Sequence, residues 1–326
     1  MTTPNVMLSR VANAIYWMSR YVERAENTAR FIDVNLQLTL DRSPVVSPQW
    51  MPLVNTTGDD QTFIERHQTD DRDAVLEFLT LDPDNPNSIF ACAAVARENA
   101  RTVRETITTE MWEQVNELYH LLKNARATQL NHHFFRNVKR CAMLFNAVTD
   151  SAMSRAIGWD FAQLGRMIER ADKTSRILDV KYFLLLPSKD DVGTTLDVIQ
   201  WRALLASVDA LEMYRQQYGT INPTHVADFL MFNGDFPRAL AYCLYRAQHA
   251  LNKVLPGPDA LDAYLAGQDA QRRLGRLVSE VQYGRADEVI AAGLHEYLDE
   301  FQTKLNACDD AIHAAFFQPR LLEASA

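Results

Sequence analysis

RYVERAENTARFIDV, residues 20–34, carries six charged side chains in fifteen positions, and their charges cancel. The segment RMIERADKTSRILDV repeats this pattern from residue 166, which is 146 positions after residue 20. Eight positions keep the same residue in register, including three arginines, a glutamate and an aspartate. Apolar positions changed between the copies, as Phe31 against Ile177 shows. The charged residues were therefore retained more strictly than the apolar ones.

A second pair of segments follows in the same order. VLEFLTLDPDNPNSIFAC (75–92) resembles VADFLMFNGDFPRALAYC (226–243), at a spacing of 151 positions. Two collinear matches at nearly one spacing indicate an ancient duplication. We place the first helical repeat at residues 1–157 and the second at 158–326, and we expect them to pack as one compact unit.

The apolar pattern predicts helices almost throughout. From about Leu8 to Thr39, apolar residues recur at spacings of three and four, which is typical of an amphipathic helix. A matching long helix is expected over about 159–186, and single helices over 194–217 and 286–316. Residues 43–70, rich in Pro and Asp, read as an irregular connection. No period-two run indicates a strand. The fold class is all-α, with internally duplicated helical bundles related by a pseudo-twofold axis.

Composition restricts the classes of partner and the compartment. The net charge of −9 over 326 residues argues against wrapping of nucleic acid. The acid-free, basic stretch 118–149 is interpreted as a solvated helix face rather than a nucleic-acid site. No signal peptide is expected at the N-terminus, and no apolar run approaches the roughly 20 residues of a membrane helix. Four well-separated cysteines favour reduced thiols. These features predict a cytoplasmic protein without membrane contact.

The charged segments allow two interpretations. Glu23, Glu26, Arg30 and Asp33 share one helix face, which could simply be solvated and hold weak ion pairs. Water, however, would tolerate Lys for Arg, whereas a buried arginine–carboxylate network requires the forked guanidinium. We therefore expect a partly buried network between the two segments, and leave open whether it is structural or lines a ligand site. The candidate residues are Arg20, Glu23, Arg24 and Arg30, with Arg166, Glu169, Arg170 and Arg176.

RENARTVRE, residues 97–105, is a further candidate for a polar pocket. Arg97, Arg101 and Arg104 share one helix face and could hold a carboxylate or phosphate group, with Asn99 adding a directional amide. The alternative is that these arginines pair with acids on a neighbouring helix.

Metal binding and self-association have weaker signals. Glu117/His120 and Asp310/His313 have the Glu-x-x-His spacing of di-metal bundles, but they occupy unmatched repeat positions, so no metal site is predicted. The end of the chain, AAFFQPRLLEASA, could fold back on its own core or contact another subunit. Homo-oligomerisation is left open.

At this point the sequence resembles a known family. The Arg-x-x-Glu-Arg-Ala pattern at Arg20 and again at Arg166 resembles the Glu-Arg motif of the Alpha-E family of bacterial helical proteins. RENARTVRE and FPRA (236–239) resemble further family features, and FPRA adds Arg238 to the candidate cleft. The family often has Ser at two positions where this chain has Ala96 and Ala239, which puts any role for hydroxyl groups there in doubt.

The resemblance implies a partner more than a reaction. Alpha-E proteins are encoded beside, or fused to, circularly permuted ATP-grasp proteins, and also lie near transglutaminase-like proteases. The family thus implies a helical partner subunit of an amide- or peptide-bond-forming ligase, which positions a substrate or closes the active site. The chain has no recognisable nucleotide loop, so we expect ATP and Mg²⁺ to be held by the ligase and no cofactor to be bound directly. The alternative is a stand-alone helical enzyme with a Glu/Arg-lined cleft, in which Glu23 or Glu169 is the general base.

Overall fold

A computed structural model describes residues 7–40, 50–184, 195–255 and 261–318. Within these ranges every regular element is helical, which confirms the all-α prediction: there are fifteen α-helices and one 3₁₀ turn at Ala127–Gln129. The helices are Ser9–Leu40 (α1), Met51–Asn55 (α2), Asp60–Arg66 (α3), Arg72–Thr80 (α4), Ile89–Thr102 (α5), Thr109–Lys123 (α6), His132–Ala152 (α7), Ile157–Leu184 (α8), Thr195–Ser207 (α9), Leu211–Tyr218 (α10), Pro223–Phe232 (α11), Leu240–Val254 (α12), Leu261–Tyr283 (α13), Ala286–Ala292 (α14) and Leu294–Phe316 (α15).

The two long helices that carry the charged segments, α1 and α8, pack against each other at the centre of the molecule. Their contact is close because Gly165 of α8 lies against the main chain of Tyr16 in α1, where a side chain would not fit. Small residues of α1, Ala25 and Ala29, are also fully buried. Both helices are therefore buried on their charged faces as well as on their apolar faces.

The remaining long helices surround this central pair. Helices α5 and α7 pack on α1, and α6 contacts both of them; α12 and α15 pack on α8, and α13 contacts both of those. The two halves of the chain thus place their long helices in the same order of neighbours. The duplication, its boundaries and the pseudo-twofold axis stay predictions.

Three segments differ from the sequence-based expectation. The helix predicted over 194–217 breaks between α9 and α10 at Asp209, whose φ of 54° lies in the left-handed region that Asp tolerates better than most residues. The helix predicted over 286–316 breaks at Gly293, where φ is 119°. The described part of the 43–70 connection contains the short helices α2 and α3. Pro52 does not prevent α2, because it lies in the first turn, where proline is compatible with a helix.

The described end of the chain packs on the central helices. Phe317 is buried, and its ring centroid lies 5.2 Å from that of Tyr16. The remainder of the predicted tail contact, including Leu321 and Leu322, lies outside the described residues. No helix in the described ranges combines the length and apolar content that crossing a bilayer requires.

Candidate functional site

Two reciprocal ion pairs join the charged segments of α1 and α8. Arg170 donates to both carboxylate oxygens of Glu23, from Nε and Nη2, each at 2.8 Å. Arg24 donates in the same forked manner to Glu169, at 2.6 and 2.9 Å. Both glutamates have no exposed surface. Each helix therefore supplies an arginine to the buried carboxylate of the other, which is the contact that the retained Arg and Glu residues predicted.

Two more arginines extend these pairs, and a third, Arg166, lies beside them on α8. Arg20 donates from Nε to Glu169 over 2.9 Å and also pairs with Asp309 of α15. Arg166 instead turns to Asp150 of α7, at 3.1 Å. Arg238, from the FPRA segment, contacts Glu23 at 3.1 Å and Glu26 at 2.7 Å. We call this set the Glu–Arg network, and its members are Arg20, Glu23, Arg24, Arg166, Glu169, Arg170 and Arg238.

Further pairs lie along the same two helices. Arg30 bonds Glu26 at 2.6 Å and Asp209 at 2.5 Å, so the break after α9 brings in a counterion. Arg176 bonds Asp172 at 2.9 Å. Of these two predicted site residues, Arg176 thus pairs with an acid of its own segment, whereas Arg30 pairs both with its own segment and with Asp209.

The stretch predicted as a solvated basic face is partly turned inward. Asp33 of α1 is fully buried, and it lies 2.5 Å from both His132 Nδ1 and Lys139 Nζ of α7. Lys139 is consequently only 19% exposed. The prediction of a solvated face is wrong for Lys139, because a buried carboxylate on α1 requires a counterion from the helix packed on it, whereas the His132 side chain is 43% exposed.

The surroundings of the two glutamates fix their charge. Burial alone would raise the pKa of Glu23, but the charges of Arg170 and Arg238 outweigh it and hold the pKa well below its usual range. Burial acts in the same way on Glu169, and there Arg24 and Arg20 lower the pKa. Both carboxylates are therefore ionised at neutral pH, fully bonded and out of contact with water, which makes them poor general bases.

The RENAR arginines lie apart from these contacts. Arg97 donates to Asn116 of α6 over 2.7 Å, and its guanidinium group lies 4.8 Å from the ring centre of Tyr119. Arg101 pairs with Glu98 on its own helix, while Arg104 lies over the ring of Trp112. Asn99 is half-buried on the same helix. In the part of the chain described here, their contacts run to α5 and α6 rather than to the Glu–Arg network.

Two cavities adjoin polar residues. Arg166 and Arg170, both predicted from sequence, line a cleft of about 390 Å³. Glu117 and His120 line another cavity, of about 760 Å³, between α6 and α7. Among the described residues, no three His, Cys, Asp or Glu side chains are grouped so that they could hold a metal ion.

Comparison with known proteins gives distant curated relatives. Proteins described as uncharacterized from Mycobacterium bovis and from two strains of Mycobacterium tuberculosis are each 26% identical over 281 residues. The match covers 76% of this chain but 30% of each relative, so this chain spans less than a third of their length. No solved structure matches.

A family assignment covers nearly the whole chain. The family is described as a predicted alpha-helical domain with a conserved ER motif, and its match extends over residues 7–317. The two Glu-Arg pairs of the network, Glu23-Arg24 and Glu169-Arg170, have the residues for which that motif is named. The chain belongs to the Alpha-E family.

Proposed function

We propose that this chain is the cytoplasmic helical partner of an ATP-grasp-type ligase that forms amide or peptide bonds. In this role it positions a substrate or closes the ligase active site. ATP and Mg²⁺ would be held by the ligase, and a transglutaminase-like protease would act in the same pathway.

The observation that carries this proposal is the state of the two network glutamates. Glu23 and Glu169 are the residues that a stand-alone enzyme would use as bases, yet each is fully buried and held by at least two arginines. A carboxylate in that setting neither accepts a proton at neutral pH nor meets a substrate. The network instead joins α1 to α8 through charge-assisted hydrogen bonds, which suits a recognition scaffold, so the stand-alone enzyme ranks second.

The relatives support an association with a second unit. In each of them, the match to this chain occupies 30% of the length, so most of the relative lies outside it. Segments that are joined in one protein often act together when they occur as separate chains. The remaining length of the relatives is large enough for at least one further domain.

Reconstitution tests the proposal. The protein is co-expressed with a circularly permuted ATP-grasp protein from the same genome, and the complex is isolated through a tag on the ligase. ATP, Mg²⁺ and amino acids are then supplied, and mass spectrometry looks for a new amide product, with each protein alone as the control. We expect a stable complex whose ligase turnover exceeds that of the ligase alone. Absence of a complex together with unchanged turnover contradicts the proposal.

A further inference from the structure

The cleft beside the Glu–Arg network is built from separate parts of the chain. Arg155 and Trp159 come from the turn before α8 and from its first residues, and Arg166 from the middle of α8. Arg246 and Tyr242 come from α12. We call this 390 Å³ pocket the arginine cleft; its charged lining residues are Asp150, Arg155, Arg166, Arg170 and Arg246.

The cleft has more positive than negative charge. Four arginines face one carboxylate, Asp150. Arg170 forms an ion pair with Glu23, which neutralises its charge, but Arg155 and Arg166 share a single counterion, Asp150. Exposed Arg246 has no hydrogen bond or ion pair to any described residue. About two positive charges in the cleft therefore lack a counterion from the protein.

Arg166 is the buried member of this group. It is 8% exposed, and its Nη2 donates to Asp150 and to Gln163. Its Nε is buried and has no hydrogen-bond partner among the described residues. Burial, followed by the charge of Arg170, lowers the pKa of Arg166. A guanidinium group that is both desolvated and beside another cation is stabilised by any anion that enters.

We propose that the arginine cleft binds an oxyanion, the carboxylate or phosphate group of a small molecule, with Arg166 and Arg246 as its main donors. The planar, forked guanidinium matches both groups. Trp159 and Tyr242 also line the cleft, and the guanidinium group of Arg155 lies 4.1 Å from the centre of the Trp159 ring. The volume lies within the range of about 300–1,000 Å³ that small-molecule sites occupy. This inference does not depend on the proposed ligase partnership, because binding is measured on this chain alone.

Isothermal titration of the purified protein tests the site. Inorganic phosphate and succinate are titrated separately at constant ionic strength, and the probe that binds more tightly identifies the phosphate or carboxylate source. Arg246→Gln and Arg166→Lys are compared with wild type. Arg215→Gln is the matched control, because it removes the same charge from an exposed arginine of α10 that does not line the cleft.

We expect saturable binding of at least one probe and a loss of about tenfold or more in each cleft variant, as for other hydrogen bonds to charged groups. Arg215→Gln should bind as wild type does. The inference is overturned if neither probe saturates, if both cleft variants bind as wild type, or if Arg215→Gln weakens binding equally. If circular dichroism shows that Arg166→Lys does not fold, Arg246→Gln decides, since its exposed side chain holds no described element in place.

Discussion

Arg238 donates a hydrogen bond from Nη1 to the side-chain oxygen of Asn27, over 2.8 Å, and bridges Glu23 and Glu26 on the same helix. In the repeated segment, Lys173 takes the position of Asn27, and its own ammonium group lies 3.8 Å from Glu169 and 3.1 Å from Asp172. The position that matches Arg238 in the other repeat is Asn87, which is neutral. Glu23 and Glu26 therefore receive an added cation from Arg238, whereas Glu169 and Asp172 receive theirs from Lys173.

This exchange predicts a rescue. Asn27→Lys places a second cation beside Arg238 and should lower the free energy of unfolding by at least about 3 kcal/mol, as for other uncompensated buried charges. Adding Arg238→Asn removes the surplus positive charge. The double variant then has Lys and Asn at positions 27 and 238, as the other repeat has at positions 173 and 87. The double variant should regain most of the loss, with a coupling energy of roughly 2–3 kcal/mol.

Urea unfolding of the wild type, both single variants and the double variant measures this coupling. Losses that simply add, with no coupling between positions 27 and 238, would show that the two cation positions are not interchangeable.

Removal of one network carboxylate should be severe. Glu23→Gln removes, from a fully buried position, the carboxylate that Arg170 and Arg238 share, at a cost of about 3–5 kcal/mol. Glu98→Gln is the control, because its pair with Arg101 is exposed and should contribute less than about 1 kcal/mol. Denaturant midpoints check both values, and similar effects of the two changes would mean that the network does not stabilise the fold.

Stability should fall in acid. The pKa values of Glu23 and Glu169 are lower in the folded chain than the ordinary value of 4.5. Above that value both states are ionised and the contribution is complete. Below it the unfolded chain takes up protons that the folded chain does not, so the free energy of unfolding falls by up to about 1.4 kcal/mol per pH unit for each carboxyl. Unfolding at pH 3–7 measures the slope, which should be smaller in Glu23→Gln; an equal slope rules out this origin.

The contact between α1 and α8 has no room for a side chain at Gly165. A methyl group there would overlap the main-chain oxygen of Tyr16, so Gly165→Ala should cost about 1–3 kcal/mol, as overpacking does. Gly275→Ala in α13 meets only Gln248 Nε2 at 3.4 Å and should instead stabilise by about 0.5–1 kcal/mol. Thermal unfolding distinguishes the two, and a gain in both variants would show that the helices can separate freely.

Ala239 precedes α12 without a side-chain cap, whereas Ser88 at the matching position accepts a hydrogen bond from the amide of Ala91, over 3.1 Å. Both residues have extended main-chain angles suited to an N-cap. Ala239→Ser should therefore raise the free energy of unfolding by about 1 kcal/mol, and Ser88→Ala should lower it by at least as much. Guanidinium unfolding tests the pair; a loss in Ala239→Ser would show that the buried site cannot accept the hydroxyl.

Much of the centre of the fold could be predicted because the Arg and Glu residues repeated in the two charged segments indicate that these segments are buried against each other. Each segment has a Glu and an Arg at matching positions, and Glu23 bonds Arg170 as Glu169 bonds Arg24. The retention of Glu and Arg in both segments indicated that these residues are buried. The spacing of apolar residues predicted the first and last residues of α1 to within one position. These predictions depend on local periodicity and on side-chain geometry, which are visible in the sequence.

The break at Asp209 and the arginine cleft could not be predicted in the same way. Asp is tolerated in the left-handed region but does not require it, so the end of α9 gave no clear signal. Arg155, Arg166 and Arg246 come from three separate segments that only packing brings together. The sequence did contain a signal for the role of Arg238. Position 27 is Asn where the matching position 173 is Lys, and position 87 is Asn where the matching position 238 is Arg, so each repeat has its cation at a different one of the two positions.

The crossed pairs also affect how the chain folds. Glu23 and Arg170 are 147 residues apart, and Arg24 and Glu169 are 145 apart. During synthesis the first charged helix therefore leaves the ribosome before Arg170, which pairs with Glu23, has been made. Docking of α8 on α1 brings Arg170 to Glu23 and Arg24 to Glu169, and Arg238 can reach Glu23 only after a still later segment has been made. A chain truncated before residue 166 lacks both Glu169 and Arg170, so it should not form the packed centre that α1 and α8 make together.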